Sequence, residues 1–219
     1  HGLAPDKFVN IQNGVVVEEW NESDNIPEEH RQLFDAKKDK YIIGYFGGHA
    51  LSNALDLLLD VAKELLVDND IVFVCVGDGV EKKRLIERVE LESISNVFFL
   101  PPVNKSSIPD LLRYFDCSYM TGMPSPLYKY GLCLNKMYDS MMAGLPIVCA
   151  FEAPPTLVSI YNCGIQCSPQ YTKEVVDAIK EIKSMTKDEQ ETMGDNGKSA
   201  ILKEYTYSKL AETFIEAVI

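Results

Sequence analysis

Short apolar runs alternate along this chain with longer stretches in which apolar residues recur every three to four positions. The apolar runs predict six buried strands, over 41–46, 71–79, 96–103, 117–120, 146–150 and 164–167. The helical periodicity predicts helices over 53–66, 80–92, 106–115, 132–144, 171–185 and 188–218. Apolar strands that alternate with helices are typical of a parallel sheet covered on both faces. The sequence therefore predicts an α/β fold, a doubly wound, Rossmann-like, six-stranded sheet.

Three local signals refine this prediction. Ser107 precedes an apolar helical run and is expected to cap it, with Pro109 in the first turn. Gly194 and Gly197 are expected to interrupt the last helix.

The first forty residues differ from the rest in composition. Residues 7–20 form a β-like run with a turn at Asn13 and Gly14, and residues 20–40 are polar and charged. We therefore expect residues 1–40 to be an inter-domain linker and residues 41–219 to form the Rossmann-like domain. The chain starts at His1 rather than at Met, which favours a piece of a longer protein.

Composition excludes several classes of partner. The formal net charge is -12 over 219 residues, so nucleic acid and anionic membranes would be repelled. No apolar run is long enough to cross a bilayer. The six cysteines lack metal-site spacing, and reduced thiols are favoured over a Cys163–Cys167 disulfide.

Ligands of doubly wound folds bind in loops at the carboxyl ends of the strands. The first such loop holds Gly47, Gly48 and His49, where glycine either allows a ligand to approach or only makes a tight turn. His49 could donate to a phosphate or serve as a structural hydrogen-bonding group. The sequence "GDG" at 77–79 lacks the third glycine of a dinucleotide fingerprint, and Lys82 and Lys83 after it are expected to be solvated.

The predicted helix over 132–144 carries a polar stripe. Leu132, Asn135, Lys136 and Asp139 share one face at helical spacing. Lys136 and Asp139 could form a local ion pair on a solvated face. Alternatively, Lys136 and the helix N–H groups could bind a diphosphate while Asp139 accepts from the two hydroxyls of a ribose. The spacing alone favours neither.

Several segments, in order along the chain, resemble a known family. These are "KFVNIQNGVVVEEW", "YFGGHALSNALDLLLDVAKEL", "FVCVGDGVEKKRL", "NVFFLPPV", "YGLCLNKMYDSMMAGLPIV" and "YNCGIQCSP". They are similar to the C-terminal, donor-binding half of GT-B glycosyltransferases of the retaining group 1 (family 4) type, which build bacterial polysaccharides. The resemblance covers nearly the whole chain.

The resemblance implies roles for individual positions. Asp139 matches the second acidic residue of the family's signature, which holds the donor ribose, and Gly131 stands where a glutamate grips the donor sugar. Gly48 and Asn53 replace the basic residues that neutralise the diphosphate. A His-x3-Asn element with an Asn-Lys pair is similar to a subgroup that transfers N-acetylated amino sugars, and there Lys136 would supply the cation. The implied donor site comprises Gly47, Gly48, His49, Asn53, Gly131, Leu132, Cys133, Asn135, Lys136 and Asp139.

The implied function is transfer of a glycosyl unit, of hexosyl or N-acetylhexosaminyl type, from a nucleotide-diphosphate sugar to a polysaccharide or lipid-linked acceptor. Uridine is the common base of the donor in such relatives. Neither a metal nor a further cofactor is expected. The acceptor and its catalytic groups are expected to belong to an N-terminal domain of the same chain, so residues 1–219 should bind the nucleotide without turnover. The implied location is the cytoplasm, with any membrane contact made by that N-terminal domain at the inner face. Two alternatives stay open: a nucleotide-sugar epimerase of the same architecture, and a non-catalytic nucleotide-binding or scaffold domain.

Overall fold

The computed structural model describes residues 9–219 and contains one six-stranded sheet. Every neighbouring pair of strands is parallel, in the order β3-β2-β1-β4-β5-β6. The strands are β1 (Tyr41–Phe46), β2 (Ile71–Val76), β3 (Val97–Leu100), β4 (Cys117–Thr121), β5 (Ile147–Ala150) and β6 (Gly164–Cys167). The predicted doubly wound, Rossmann-like sheet is confirmed.

Ten α-helices accompany the sheet in the described part of the chain. They are α1 (Glu18–Asn21), α2 (Glu28–Ala36), α3 (Leu55–Glu64), α4 (Lys82–Leu91), α5 (Ile108–Leu112), α6 (Asn135–Met142), α7 (Leu157–Ile160), α8 (Thr172–Ser184), α9 (Lys187–Glu204) and α10 (Tyr207–Val218). Helices α3, α4 and α8 pack on one face of the sheet. Helices α2, α5, α6, α7 and α9 pack on the other.

The alternation of side chains along the strands explains why both faces are apolar. Ile43 and Tyr45 of β1 point into the core under α3 and α8, while Ile42 and Phe46 point into the core under α2 and α5. Each such buried side chain contributes roughly 1.5–3 kcal/mol relative to an exposed one. The strands are mostly apolar because helices cover both faces of the sheet.

The sheet order creates a crevice at one position. From β1 the chain winds outward to β2 and β3, and from β4 it winds the other way to β5 and β6. The carboxyl ends of β1 and β4 therefore diverge, which is the topological switch point where this class of fold binds ligands. The loops after β1 and β4 meet there, and Met123 N donates to Ser52 O at 2.9 Å.

Three predictions about helices are wrong. Helix α6 begins at Asn135 rather than at 132, because Leu134 is extended. Ser107 does not cap α5, since its hydroxyl bonds Asn25 O at 3.3 Å, although Pro109 does lie in the first turn. Helix α9 also runs through Gly194 and Gly197 without interruption.

Close packing explains the glycines of α9. A Cβ on Gly194 would lie 1.8 Å from Gly144 O, at the end of α6, and one on Gly197 would lie 3.0 Å from Cys163 Cβ. The glycines therefore let α9 approach α6 and the turn before β6, and neighbouring contacts offset their low helix propensity.

The described residues before β1 contribute to the core. Ile26 and Phe34 are each 2% exposed and lie in the core beside β1 and β2. Over residues 9–17 the predicted β-like run is reduced to a single bridge between Val15 and Thr206, and residues 7 and 8 of that run lie outside the described part. The proposed domain boundary at residue 40 remains a prediction.

All six cysteines are unpaired, so Cys163 and Cys167 form no disulfide. Within residues 9–219, no cluster of His, Cys, Asp and Glu is arranged to hold a metal ion. None of the helices over the same residues combines the length and apolar character needed to span a membrane.

Candidate functional site

The loop after β1 packs directly against the loop after β2. Gly77 has φ +150°, and a Cβ there would lie 1.9 Å from Gly47 O. His49 N donates to Asp78 O at 2.8 Å, and Glu81 N donates to His49 O at 3.0 Å. The glycine turn after β2 thus serves close loop-to-loop packing, since a side chain on Gly77 would displace the first loop.

Two side chains fix the carbonyl of Gly48. The Tyr45 hydroxyl donates to Gly48 O at 2.6 Å, and Asn53 Nδ2 donates to the same oxygen at 2.8 Å. Gly47 and Gly48 are themselves exposed, and Gly47 has φ +126°. The backbone of this loop is therefore held open toward the crevice.

His49 does not face the crevice. Its side chain is 0% exposed, lies edge-on to Phe99 and has no hydrogen-bond partner on either ring nitrogen in the part of the chain described. Burial, together with nearby Lys82, lowers the pKa of His49 to about 4, so the ring is neutral. Direct donation from His49 to a phosphate, one of its two predicted roles, does not fit this geometry.

Lys136 extends from the start of α6 to the loop after β1. Its Nζ donates to the Tyr45 hydroxyl at 3.2 Å and lies 4.3 Å from the centre of the Tyr45 ring. A Cβ placed on Gly47 would lie 3.4 Å from the same nitrogen. Burial lowers the pKa of Lys136 to about 8, so the group is still mostly cationic at pH 7.

The local ion pair between Lys136 and Asp139 is not formed. No carboxylate in residues 9–219 pairs with Lys136, and the Asp139 carboxylate makes no hydrogen bond within the same residues. Burial raises the pKa of Asp139 to about 6, which nearby Lys105 partly opposes. Two poorly solvated charges without an oppositely charged partner are unfavourable for folding and are characteristic of ligand sites.

The start of α6 offers further donors. Leu134 precedes the helix and provides no side-chain cap, and the backbone N–H groups of Asn135 and Lys136 bond no acceptor in the described chain. Free N–H groups and the helix dipole favour an anion at this end. The sequence predicted a helix start at 132, with free N–H groups near Leu132 and Cys133. Because α6 begins at Asn135, the free N–H groups are those of Asn135 and Lys136 instead.

The remaining predicted site residues border this helix end. Asn135 contacts the segment before β1, because its Oδ1 accepts from Asn13 Nδ2. Cys133 is exposed, with Sγ 3.6 Å from the Tyr138 hydroxyl, and Leu132 packs partly on the core around α6. Gly131 is exposed with φ +112°, and a Cβ there would meet no atom within 4 Å.

A pocket of about 290 Å³ opens beside the glycine loop. Its wall is formed by the carboxyl ends of β1 and β2 and by the segment after β3: Phe46, Gly47, Gly48, Val76, Gly77, Asp78, Pro102, Val103 and Ile108. The crevice thus combines a cation, free N–H groups, an unpaired carboxylate and a mainly apolar recess.

Comparison with known proteins gives the family. The family model described as "Glycosyl transferases group 1" matches residues 26–200. This chain belongs to the glycosyl transferases group 1 family. The putative colanic acid biosynthesis glycosyl transferase WcaI of Escherichia coli (strain K12) is 27% identical to it over 121 residues, which are 52% of this chain and 30% of WcaI.

Solved structures share the fold of this glycosyltransferase. Anabaena HepE, solved in complex with UDP-glucose, superposes with a TM-score of 0.75 at 17% identity, over 95% of this chain and 56% of HepE. The C-terminal domain of the group 1 protein LpcC from Francisella tularensis gives a TM-score of 0.65 at 17% identity, over 88% of this chain and 99% of that domain. The chain therefore has the fold of the C-terminal half of a GT-B glycosyltransferase and spans about half of HepE and less than a third of WcaI.

Sequence patterns missed two contributors to the glycosyltransferase crevice. Lys82, expected to be solvated, donates to Gly77 O at 2.7 Å and to Leu100 O at 2.9 Å, and so joins the ends of β2 and β3. Tyr45 lies in an apolar strand, so the sequence pattern marks it only as a core residue, yet its hydroxyl links Lys136 to Gly48. The position of Lys82 right after the glycine turn was the available signal. Lys83, by contrast, is 91% exposed as expected.

Proposed function

We propose that this domain binds the donor of a glycosyl transfer, a nucleotide-diphosphate sugar. We further propose that the donor is a UDP-N-acetylamino sugar and that the acceptor is a polysaccharide or a lipid-linked saccharide. Membership of the family indicates a glycosyltransferase domain. The donor class and the assignment of site residues are the proposal.

The observation that carries the proposal is the unpaired ammonium of Lys136 against the Gly47 backbone. Lys136 is half-buried, in a chain of net charge -12, and has no carboxylate partner in the residues described. A buried cation without a partner is expected where an anion binds and repays the desolvation. The free N–H groups at the start of α6 converge on the same anion, which we assign to the diphosphate.

The carboxylate of Asp139 suits the ribose. It lies one helical turn from Lys136 and accepts no hydrogen bond within the described residues, so both oxygens are available to vicinal hydroxyls. The recess lined by Phe46, Val76 and Val103 is adjacent to the diphosphate position and is the proposed site for the base. HepE was solved with UDP and with UDP-glucose, which supports uracil as that base.

Gly131 supports an acylated amino sugar. It stands where the family signature carries a glutamate toward the donor sugar, and the space around it is open. An N-acetyl group needs volume rather than a carboxylate, so the open position favours it over a fully hydroxylated hexose. We retain His49 and Asn53 in the site as residues that support the glycine loop.

The proposed reaction breaks the bond between the anomeric carbon and the diphosphate oxygen and forms a bond to an acceptor hydroxyl, which loses its proton. Lys136 and the α6 N–H groups stabilise charge that develops on the leaving diphosphate. We propose retention of the anomeric configuration, and that the acceptor and its proton-accepting group are held by the remainder of a longer protein in the cytoplasm. Residues 1–219 alone should then bind the donor without transferring it.

Two other functions make different demands. An epimerase would need a histidine and carboxylates in the crevice, and the burial of His49 counts against it. A scaffold domain would need no nucleotide at all.

Isothermal titration of UDP into the wild-type chain and into Asp139→Ala tests the proposal. We expect the wild type to bind and the variant to lose roughly 1–3 kcal/mol, about 5- to 150-fold in affinity. Asp195→Ala is the matched control, because Asp195 is exposed on α9 and its loss changes the net charge equally. Absence of heat with wild type would refute donor binding, and equal losses in both variants would refute the role of Asp139.

A further inference from the structure

The carboxamide of Asn13 joins three parts of the chain. Its Oδ1 accepts from Gly14 N at 3.0 Å and from the Tyr207 hydroxyl at 2.7 Å. Its Nδ2 donates to Oδ1 of Asn135, the first residue of α6. One side chain therefore ties the segment before β1, the first turn of α10 and the first turn of α6 together.

The backbone around Asn13 is itself fixed. Val15 N donates to Tyr205 O at 3.0 Å, and Tyr207 N donates to Val15 O at 3.1 Å. A Cβ on Gly14 would lie 2.4 Å from Tyr205 O, so a residue with a side chain could not sit there without displacing the bridge. Asn13 thus projects from a rigid junction onto α6.

A second bond runs parallel to the first. The Tyr138 hydroxyl, buried one turn along α6, donates to Gln12 Oε1 at 2.9 Å. Residues 12 and 13 therefore contact two positions of α6 that lie one turn apart. The first turn of α6 is held by this segment on one side, while Lys136 reaches Tyr45 on the other.

Helix α6 needs such support. It has only eight residues, and Leu134 gives it no side-chain cap. Short helices without caps fray at their first turn, and the cap-forming bond is worth about 1 kcal/mol. The bond from Asn13 to Asn135 restrains the same turn from outside the helix.

We infer that Asn13 is a positioning residue for donor binding: it fixes the first turn of α6, and through it the Lys136 ammonium and the free N–H groups. The inference rests on the proposed function. It also assigns Asn135 an indirect role, as the partner of Asn13 rather than as a contact of the donor.

A double-mutant cycle separates positioning from direct contact. UDP affinity is measured by calorimetry for wild type, Asn13→Ala, Asn135→Ala and the double variant. Each single variant should weaken UDP binding about fivefold, and the double variant should be no weaker than either single one, because both remove the same bond. Tyr207→Phe, which keeps the Asn13–Asn135 bond, should have a smaller effect. Asn196→Ala on α9, where an exposed amide donates to Asn162 O at 3.3 Å, is the matched control and should bind as wild type does.

Amide hydrogen exchange of the free protein supplies a readout that does not need the ligand. Exchange in residues 131–138 should be faster in Asn13→Ala than in wild type and unchanged in Asn196→Ala. Unchanged exchange in Asn13→Ala, or UDP affinity within twofold of wild type, would overturn the positioning role. Additive losses in the double variant would instead assign Asn135 a direct contact. Failure of the wild type itself to bind UDP would overturn the proposed function, and the effect on exchange would then show separately whether Asn13 holds α6.

Discussion

The ammonium of Lys136 lies 3.2 Å from the hydroxyl of Tyr45 and 4.3 Å from the centre of its ring, although the two residues are 91 positions apart in the chain. Burial raises the pKa of Tyr45 well above its ordinary value, so the hydroxyl stays protonated and donates to Gly48 O. Tyr45 thus supports the cation with its ring and hydroxyl oxygen, and the glycine loop with its proton. The contact brings the start of α6 and the loop after β1 into a single site.

Replacing Lys136 with Met should weaken UDP binding and stabilise the free protein at pH 7. The folded-state pKa of Lys136, about 8, lies below its ordinary 10.5, so the charged form is penalised in the folded protein. The penalty is fully present below pH 8 and disappears as the pH rises through 10.5. Urea unfolding should give the variant a gain of about 1–3 kcal/mol at pH 7 that closes above pH 10. Lys83→Met, which removes an exposed lysine, should change neither quantity, and a destabilised Lys136→Met would contradict the assignment.

Replacing Asp139 with Asn should likewise stabilise the free protein while it weakens UDP binding. Its pKa is raised from 3.8 to about 6 in the folded protein, mainly by burial, so folding favours the protonated form. The penalty that Asp139 places on folding should therefore shrink as the pH falls from 7 through 6 toward 4. The Asn variant should be more stable by about 1–2 kcal/mol at pH 8, with no difference near pH 4. Thermal unfolding of both proteins over this range measures the difference, and a wild type that was the more stable of the two at pH 8 would show that Asp139 is paired rather than desolvated.

Donor affinity should be highest between about pH 6 and pH 8. Asp139 must be ionised to accept two hydroxyl hydrogen bonds, and Lys136 must be protonated to bind the diphosphate. UDP-N-acetylglucosamine is the suitable probe, because its doubly esterified diphosphate does not titrate in this window. Calorimetry should show the acid limb vanish in Asp139→Asn and the alkaline limb vanish in Lys136→Met. A flat profile for wild type would exclude both groups from the site.

The substitution Gly47→Ala should lower the affinity for UDP more than Gly131→Ala does. Both glycines have positive φ, +126° and +112°, so each substitution strains the backbone by about 1 kcal/mol or more. Only the Gly47 methyl would face Lys136 Nζ, at 3.4 Å, and narrow the anion site. UDP affinity should fall at least fivefold in Gly47→Ala and stay within twofold of wild type in Gly131→Ala. Equal losses would indicate that backbone strain alone governs binding.

The sequence predicted the fold because its signals are local. Apolar runs such as 41–46 and 71–76 can only be buried strands, and alternation with helices dictates a parallel sheet. The errors arose where tertiary contacts override local preference. Gly194 weakens an isolated helix but is required for the contact of α9 with Gly144, and Ser107, a good capping residue, bonds Asn25 O instead.

The site was predictable only in part, for a related reason. Spacing placed Lys136 and Asp139 on one stripe, but it could not tell whether they bond each other or lie apart. Whether His49 points toward or away from the crevice depends on Phe99 and Lys82, which come from other loops. The position of Lys82 after the glycine turn hints at a role, but its acceptors come from the ends of two different strands, which local sequence does not bring together.

The unpaired ammonium of Lys136 has a practical consequence for handling the protein. The proposed diphosphate site would not distinguish the phosphates of a donor well from inorganic phosphate or sulfate, which carry similar oxygens and charge. Such salts in a purification buffer would compete for the position beside Gly47 and would make any nucleotide seem a poorer ligand than it is. Titrations are therefore best carried out in a buffer of bulky zwitterions with chloride as the only small anion.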